Sequence, residues 1–169
     1  NYAGGRAVKI IYDVPDGDTE VVRFRTALDG ESRFRWRKGS KPIPYGLNPR
    51  RISEARQAGY LVIIEGESDS QTCWFHNIPA IGIPGASQYK SLLNRYGVYL
   101  AGVERLIILI EPDSGGETVL EKVGATTLKE RIWTFDLGEY KDISDLHIAH
   151  PENFSELLHE SLDRATRWT

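Results

Sequence analysis

Cysteine, methionine and long apolar runs are scarce or missing in this sequence, and each shortage removes a class of protein. Among 169 residues there is one cysteine, Cys73, and no methionine. A single thiol excludes an internal disulfide and any cysteine-rich zinc site, and it fits a reducing, cytoplasmic setting. Set before Trp74 and Phe75, Cys73 reads as packing rather than as a nucleophile. The four histidines, His76, His147, His150 and His159, lack the paired spacing of a zinc site. No apolar stretch approaches the roughly 20 residues of a membrane span, and no signal-peptide pattern opens the chain. Without an initiator methionine, the sequence is expected to be an excised or processed piece of something larger. Its length suits one domain, or one domain with a small appendage, and is enough to bury a core.

The formal net charge of −3 hides an asymmetry. From Arg23 to Arg56 there are ten basic and three acidic residues, a local excess of +7, which leaves −10 for the rest of the chain. Inside this block Arg33-Phe34-Arg35-Trp36-Arg37-Lys38 alternates at the strand period, so Arg33, Arg35 and Arg37 share one face and the two aromatics the other. An antiparallel strand with solvated arginines outside fits the pattern, and so does a strand that binds nucleic-acid phosphates. Together with Lys38, Lys41, Arg50 and Arg51, these arginines are the candidate phosphate contacts.

Acidic residues gather elsewhere. Tyr60-Leu61-Val62-Ile63-Ile64 reads as a buried strand and runs straight into Glu65-Gly66-Glu67-Ser68-Asp69. Arg105 to Ile110 repeats the arrangement and delivers Glu111-Pro112-Asp113-Ser114-Gly115-Gly116. A carboxylate at a sheet rim is costly to desolvate unless a partner or a metal offsets it. Parallel neighbouring strands would bring both acidic tips to one edge, where ligands of open α/β sheets bind. Oxygen-only clusters suit hard cations such as Mg²⁺. For Asp69 the alternative is a helix-capping carboxylate.

Glu65-Gly66, Glu111-x-Asp113 with Gly115-Gly116, and Lys141-Asp142-Ile143-Ser144-Asp145-Leu146 together resemble the Toprim domain of DnaG-type primases, especially those of phage and plasmid replication proteins. The resemblance covers about residues 60 to 147. It implies Glu65 as general acid/base or ligand, and Glu111, Asp113 and Asp142 as candidate ligands of Mg²⁺ or Mn²⁺; Asp69, on the first acidic tip, is a further candidate ligand. Lys141 falls beside them in the third motif. Two positions depart from the usual pattern: Glu111-Pro112-Asp113 stands where Asp-x-Asp is usual, and Ile143 follows Asp142 where proline is usual. The implied partners are a single-stranded DNA template, nucleoside triphosphates and a helicase domain or protein. Metal-dependent priming is the expected activity. A nuclease using the same ions, and a non-catalytic nucleic-acid-binding module, stay open as alternatives.

The chain is expected to be α/β, a Toprim-like mostly parallel sheet flanked by helices with an N-terminal antiparallel β subdomain. Residues 1–58 form the basic β-rich part, 59–147 the α/β domain and 148–169 a C-terminal helix. Turn signals at Pro15-Asp16-Gly17-Asp18 and Asp29-Gly30 predict a three-stranded meander. Asn48-Pro49 opens a helix that Gly59 stops. Strands at 60–65, 80–83, 105–110 and 131–136 alternate with helices at about 69–77, 88–96 and 116–123. In the turn Gly82-Ile83-Pro84-Gly85-Ala86-Ser87, exposed N–H groups near Gly85 and Ser87 could receive a phosphate. Glu152 to Trp168 reads as one amphipathic helix that closes the sheet or begins a linker.

Overall fold

The structure, a computed structural model, describes residues 2, 4–16, 20–30 and 33–169. Two sheets make up its β-structure. The first is antiparallel, in the order β1 (Val8–Tyr12), β2 (Val21–Arg25), β3 (Phe34–Trp36). This is the expected meander, although the Gly17-Asp18 half of its first turn signal lies outside the described residues. The second sheet has five strands in the order β5-β4-β6-β7-β8: β4 (Tyr60–Glu65), β5 (Ala80–Ile83), β6 (Arg105–Leu109), β7 (Ile132–Phe135) and β8 (Thr166–Arg167). Its first four strands are parallel and β8 runs antiparallel to β7.

Continuous apolar runs are what a sheet covered on both faces requires. Along β4, Leu61 and Ile63 enter one core while Val62 and Ile64 enter the other, and along β6, Leu106 and Ile108 are separated in the same way from Ile107 and Leu109. The first core is closed by α1 (Pro49–Ala58), α3 (Tyr89–Tyr96) and α4 (Ser114–Gly124), and the second by α2 (Glu67–Phe75), α5 (Ile143–Ala149) and α6 (Phe154–Asp163). Asn48 caps α1 through its side chain, accepting from Arg51 N, and Gly59 ends it at φ +78°. Cys73 is fully buried, and burial pushes its thiol up, away from reactivity.

Three elements differ from expectation. Helix α2 begins at Glu67, two residues early, because Gly66 at φ +84° turns the chain directly out of β4. A short helix, α5, follows the third acidic motif, and its signal was Asp142 three residues ahead of Asp145, whose backbone N–H the Asp142 carboxylate accepts at 2.8 Å. The expected single helix from Glu152 to Trp168 is α6 alone, followed by β8. Without Thr166 and Arg167 the outer side of β7 would be an unpaired edge, and the chain returns to cover it, with Trp168 N donating to Ile132 O at 2.9 Å. Among the described residues no helix is long and apolar enough to cross a membrane.

Candidate active site

Connectivity creates a crevice. The chain leaves β4 for β5 on one side through α2, then crosses to β6 on the other side through α3 on the opposite face. The helices after β4 and β6 therefore depart on opposite faces, which opens the carboxyl edge of the sheet between those strands. Glu65 ends β4, and Glu111 and Asp113 follow β6, its parallel neighbour. A third strand end helps: Gly82 of β5 packs so close that an added Cβ would lie 2.2 Å from Gly66 O, so glycine there keeps the turn behind Glu65 tight.

A cleft of about 270 Å³ occupies this edge. Glu65, Asp69, Glu111 and Asp142 line one side together with Lys141, and Arg23, Arg25 and Arg33 line it from the three-stranded sheet. Gly85 reaches its rim. Asp113 caps α4, its Oδ1 accepting from Gly115 N at 2.8 Å and Gly116 N at 3.2 Å. Its Oδ2 is left 3.7 Å from Lys141 Nζ, and Glu111 Oε2 lies 4.0 Å from the same nitrogen. Lys141 thus sits between the two carboxylates of the second motif.

The electrostatics are those of crowded acids. Burial first, then repulsion from Glu65, raises Glu111 to about 7, against an opposing pull from Lys141. Glu65 is raised by burial and by Asp113, although Ala86 N–H and Lys141 favour its charged form. Burial raises Asp69 to about 6 despite bonds from Ser144, and Asp142 adds repulsion. Asp69 is only 4% exposed, and its Oδ1 accepts from both the Ser144 backbone N–H and hydroxyl. It therefore ties α2 to the first turn of α5 and helps place Lys141 and Asp142.

The fit of a hard cation can be judged from the donors. Among the described residues no three His, Cys, Asp or Glu side chains are grouped so as to hold a metal ion. Glu111 and Asp113 nevertheless offer two oxygen donors around one lysine ammonium, and their mutual repulsion is what a divalent ion would relieve. Mg²⁺ commonly binds through one or two carboxylates and keeps its waters, so an open pair suits it.

The basic residues divide more sharply than expected. The alternation in β3 holds, with Phe34 and Trp36 partly buried and Arg33, Arg35 and Arg37 exposed. Arg35 lines a separate open groove with Tyr2 and Arg6, into which Arg33 also reaches, and Arg37 approaches Glu20 at 3.4 Å. Lys38 and Lys41 are exposed, Arg50 pairs with Glu54 at 2.9 Å, and Arg51 lies 3.3 Å over the Trp74 ring. Ser87 is exposed and, like these, does not line the cleft. The arginines that sequence reasoning missed are Arg23 and Arg25. Both sit on β2 opposite aromatics, Arg23 against Trp36 and Arg25 against Phe34, so pairing turns them to the aromatic face that looks toward the acids. The available signal was the alternation in Val21-Val22-Arg23-Phe24-Arg25, which separates Arg23 and Arg25 from Phe24.

This architecture, a mostly parallel sheet with helices on both faces and an antiparallel sheet before it, is the fold of DnaG-type primase domains. The RNA polymerase domain of Mycobacterium tuberculosis primase DnaG, in complex with a double-stranded DNA oligomer, matches 96% of this chain with a TM-score of 0.72 and 15% identity. A chain from the bacteriophage T7 assembly of lagging-strand DNA polymerase with the primase domains of two gp4 subunits matches 98% of this chain and 81% of its own length, with a TM-score of 0.72 and 17% identity. The chain spans about half, 54%, of the M. tuberculosis structure's length. In sequence, the Gene 57 protein of Mycobacterium phage D29 is 28% identical over 126 residues, covering 75% of this chain and 77% of that protein. No family model matches.

Proposed function

We propose that this chain is the Toprim-type catalytic domain of a replication primase, joining nucleoside triphosphates into a primer on single-stranded DNA. The observation that carries the reading is the meeting of Glu65, Glu111 and Lys141 with Arg23, Arg25 and Arg33 in one cleft at the strand ends. The primase fold of the comparison structures, which include domains bound to DNA, supports it.

Glu111 and Asp113, with Asp142 at the adjacent helix start, would hold Mg²⁺ or Mn²⁺. When bound, such ions activate the attacking oxygen and stabilise the pyrophosphate leaving group. The chain's residues do the rest. Glu65, whose carboxyl is raised by burial and by Asp113, is the candidate to take a proton at its carboxylate oxygen. Lys141 neutralises the acid pair and stands ready for a phosphate oxygen. Arg23, Arg25 and Arg33 meet phosphates of the nucleotide or template strand, with Arg35, Arg37, Lys38 and Lys41 extending a basic surface over the exposed face of the same sheet. A helicase domain or protein is the proposed partner of the longer protein.

The test is calorimetric titration of Mg²⁺ and Mn²⁺, with and without a nucleoside triphosphate, into the wild-type chain and into Glu111→Gln/Asp113→Asn, paired with primer-synthesis and DNA-hydrolysis assays. Binding that is lost in the variant and strengthened by triphosphate is expected. Metal-dependent hydrolysis without triphosphate binding would move the site to the nuclease reading. Ion binding with no turnover in a longer protein would leave a nucleic-acid-binding module.

A further inference from the structure

Arg23 is held by a buried acid, whereas Arg25 and Arg33 donate to backbone carbonyls. Its guanidinium carbon lies 4.3 Å from the Phe34 ring centroid and 5.2 Å from that of Trp36, and Nη1 donates to Glu67 Oε1 at 2.9 Å. The side chain is 14% exposed and that of Glu67 8%. Glu67 also accepts from the buried hydroxyl of Tyr12. Among the described residues Arg23 Nε is buried without a partner, so Glu67 uses only part of a donor set that has five N–H groups. A buried, incompletely satisfied guanidinium is expensive, and here it lines the cleft that also holds Glu65 and Glu111.

The three residues come from two layers. Tyr12 and Arg23 belong to β1 and β2, whereas Glu67 opens α2, two residues after Glu65. One carboxylate therefore fixes the arginine-bearing face of the small sheet to the turn that carries the first acid. Resting on the nucleotidyl-transfer reading, we infer that Glu67 is a positioning residue: it aims Arg23, with Tyr12 as its brace, at the polyphosphate of a nucleoside triphosphate lying against Glu111 and Asp113. Arg23 touches the ligand; Glu67 acts through it.

A double-substitution cycle tests this, with inorganic triphosphate in Mg²⁺ as the probe and calorimetry as the readout. Arg23→Ala is expected to weaken binding about tenfold, as for a lost charge-assisted contact. Glu67→Ala should weaken it about fivefold in the wild-type background and add nothing once Arg23 is alanine. Glu67→Gln keeps an acceptor for both donors and should stay within about twofold of wild type. Tyr12→Phe removes only the hydroxyl and provides a milder variant if Glu67→Ala fails to fold; its loss should likewise vanish in the Arg23→Ala background. The Arg23 Hδ resonances are expected upfield because the guanidinium stacks on Phe34 and Trp36; they report the positioning without ligand and should move toward ordinary values in Glu67→Ala or, less far, in Tyr12→Phe. Independent losses in the cycle, or unmoved Hδ shifts, overturn the inference while triphosphate binding by the wild type keeps the nucleotidyl-transfer reading. A folded wild type that binds no triphosphate overturns both.

Discussion

In the five-stranded sheet every acid of the cleft stands at the end of a strand or in the cap or first turn of a helix, whereas the arginines Arg23 and Arg25 stand along a strand. Glu65, Glu111, Asp113 and Asp142 are placed by where an element stops. Arg23 and Arg25 are placed by which residues of β3 they oppose. The first kind of placement survives small changes in packing, because a parallel sheet has only one carboxyl edge. The second depends on register, and a slip of one residue would turn both arginines to the opposite face. The acidic half is accordingly the rigid partner of the cleft, and the basic half is docked onto it through Glu67 and the Tyr12-Trp36-Tyr45 contacts.

The largest effect should come from breaking the acidic half. Asp113→Asn keeps the one oxygen that Gly115 and Gly116 both donate to and so keeps the α4 cap, but it removes a charge from the proposed ion site. Primer synthesis by the longer protein is expected to fall by about two to three orders of magnitude, the scale of a lost electrostatic contact to the reacting groups. Asp113→Ala also deletes the cap and should cost about 1 kcal/mol of stability by denaturant titration. If Asp113→Asn retains full synthesis, the acids do not carry the reaction.

A smaller effect concerns stability and pH. The folded protein keeps a proton on Glu111 up to about pH 7, whereas the ordinary glutamate value is 4.5. Between those values the folded state binds more protons than the unfolded chain, so this group lowers stability as pH rises through the window. Asp69 acts in the same direction between 3.8 and about 6. Thermal melts of Glu111→Gln in metal-free buffer should therefore match wild type near pH 5 and lie about 2–4 °C higher near pH 8, for a relief on the order of 1 kcal/mol. Mg²⁺ should raise the wild-type melting temperature more at pH 8 than at pH 5, and Glu111→Gln should lose that difference. Equal curves at both pH values would mean that neither burial nor the neighbouring acids raise Glu111.

What could be read in the sequence follows the same division. Ile63-Ile64-Glu65 and Leu109-Ile110-Glu111 announce an acid at a buried strand's end without any knowledge of the neighbours, and the parallel order then brings them together. The three-stranded meander and the cap at Asn48 were equally local. The facing of Arg23 was not, because it needs the pairing with Trp36 as well as the sequence of β2. Glu67 was passed over for a related reason: its partners, Tyr12 and Arg23, lie 55 and 44 residues away. The C-terminal segment misled because Phe154, Leu158, Leu162 and Ala165 do keep a helical period, while the demand of β7 for a partner strand appears only in the assembled sheet.

The smallest expected effect is also the sharpest comparison within the basic half. Arg25 on β2 and Arg37 just past β3 carry the same charge, but Arg25 lines the cleft, its Nε and Nη2 donating to the Ala27 and Leu28 carbonyls, whereas Arg37 lies outside it near Glu20. If basic residues acted only through the overall field of the sheet, their removal would be equivalent. If the cleft itself holds phosphates, Arg25→Ala should weaken single-stranded DNA binding several-fold and make the salt dependence shallower by about 0.7 in the log–log slope, the value for one contact to a single strand. Arg37→Ala, which leaves Glu20 paired with Lys9 at 3.0 Å, should change affinity by less than about twofold and leave the slope nearly as it was, since exposed pairs of this kind contribute little. Fluorescence anisotropy across a salt series measures both. Equal slopes for the two variants would make the three-stranded sheet a diffuse electrostatic surface and would remove β2 from the wall of the active site.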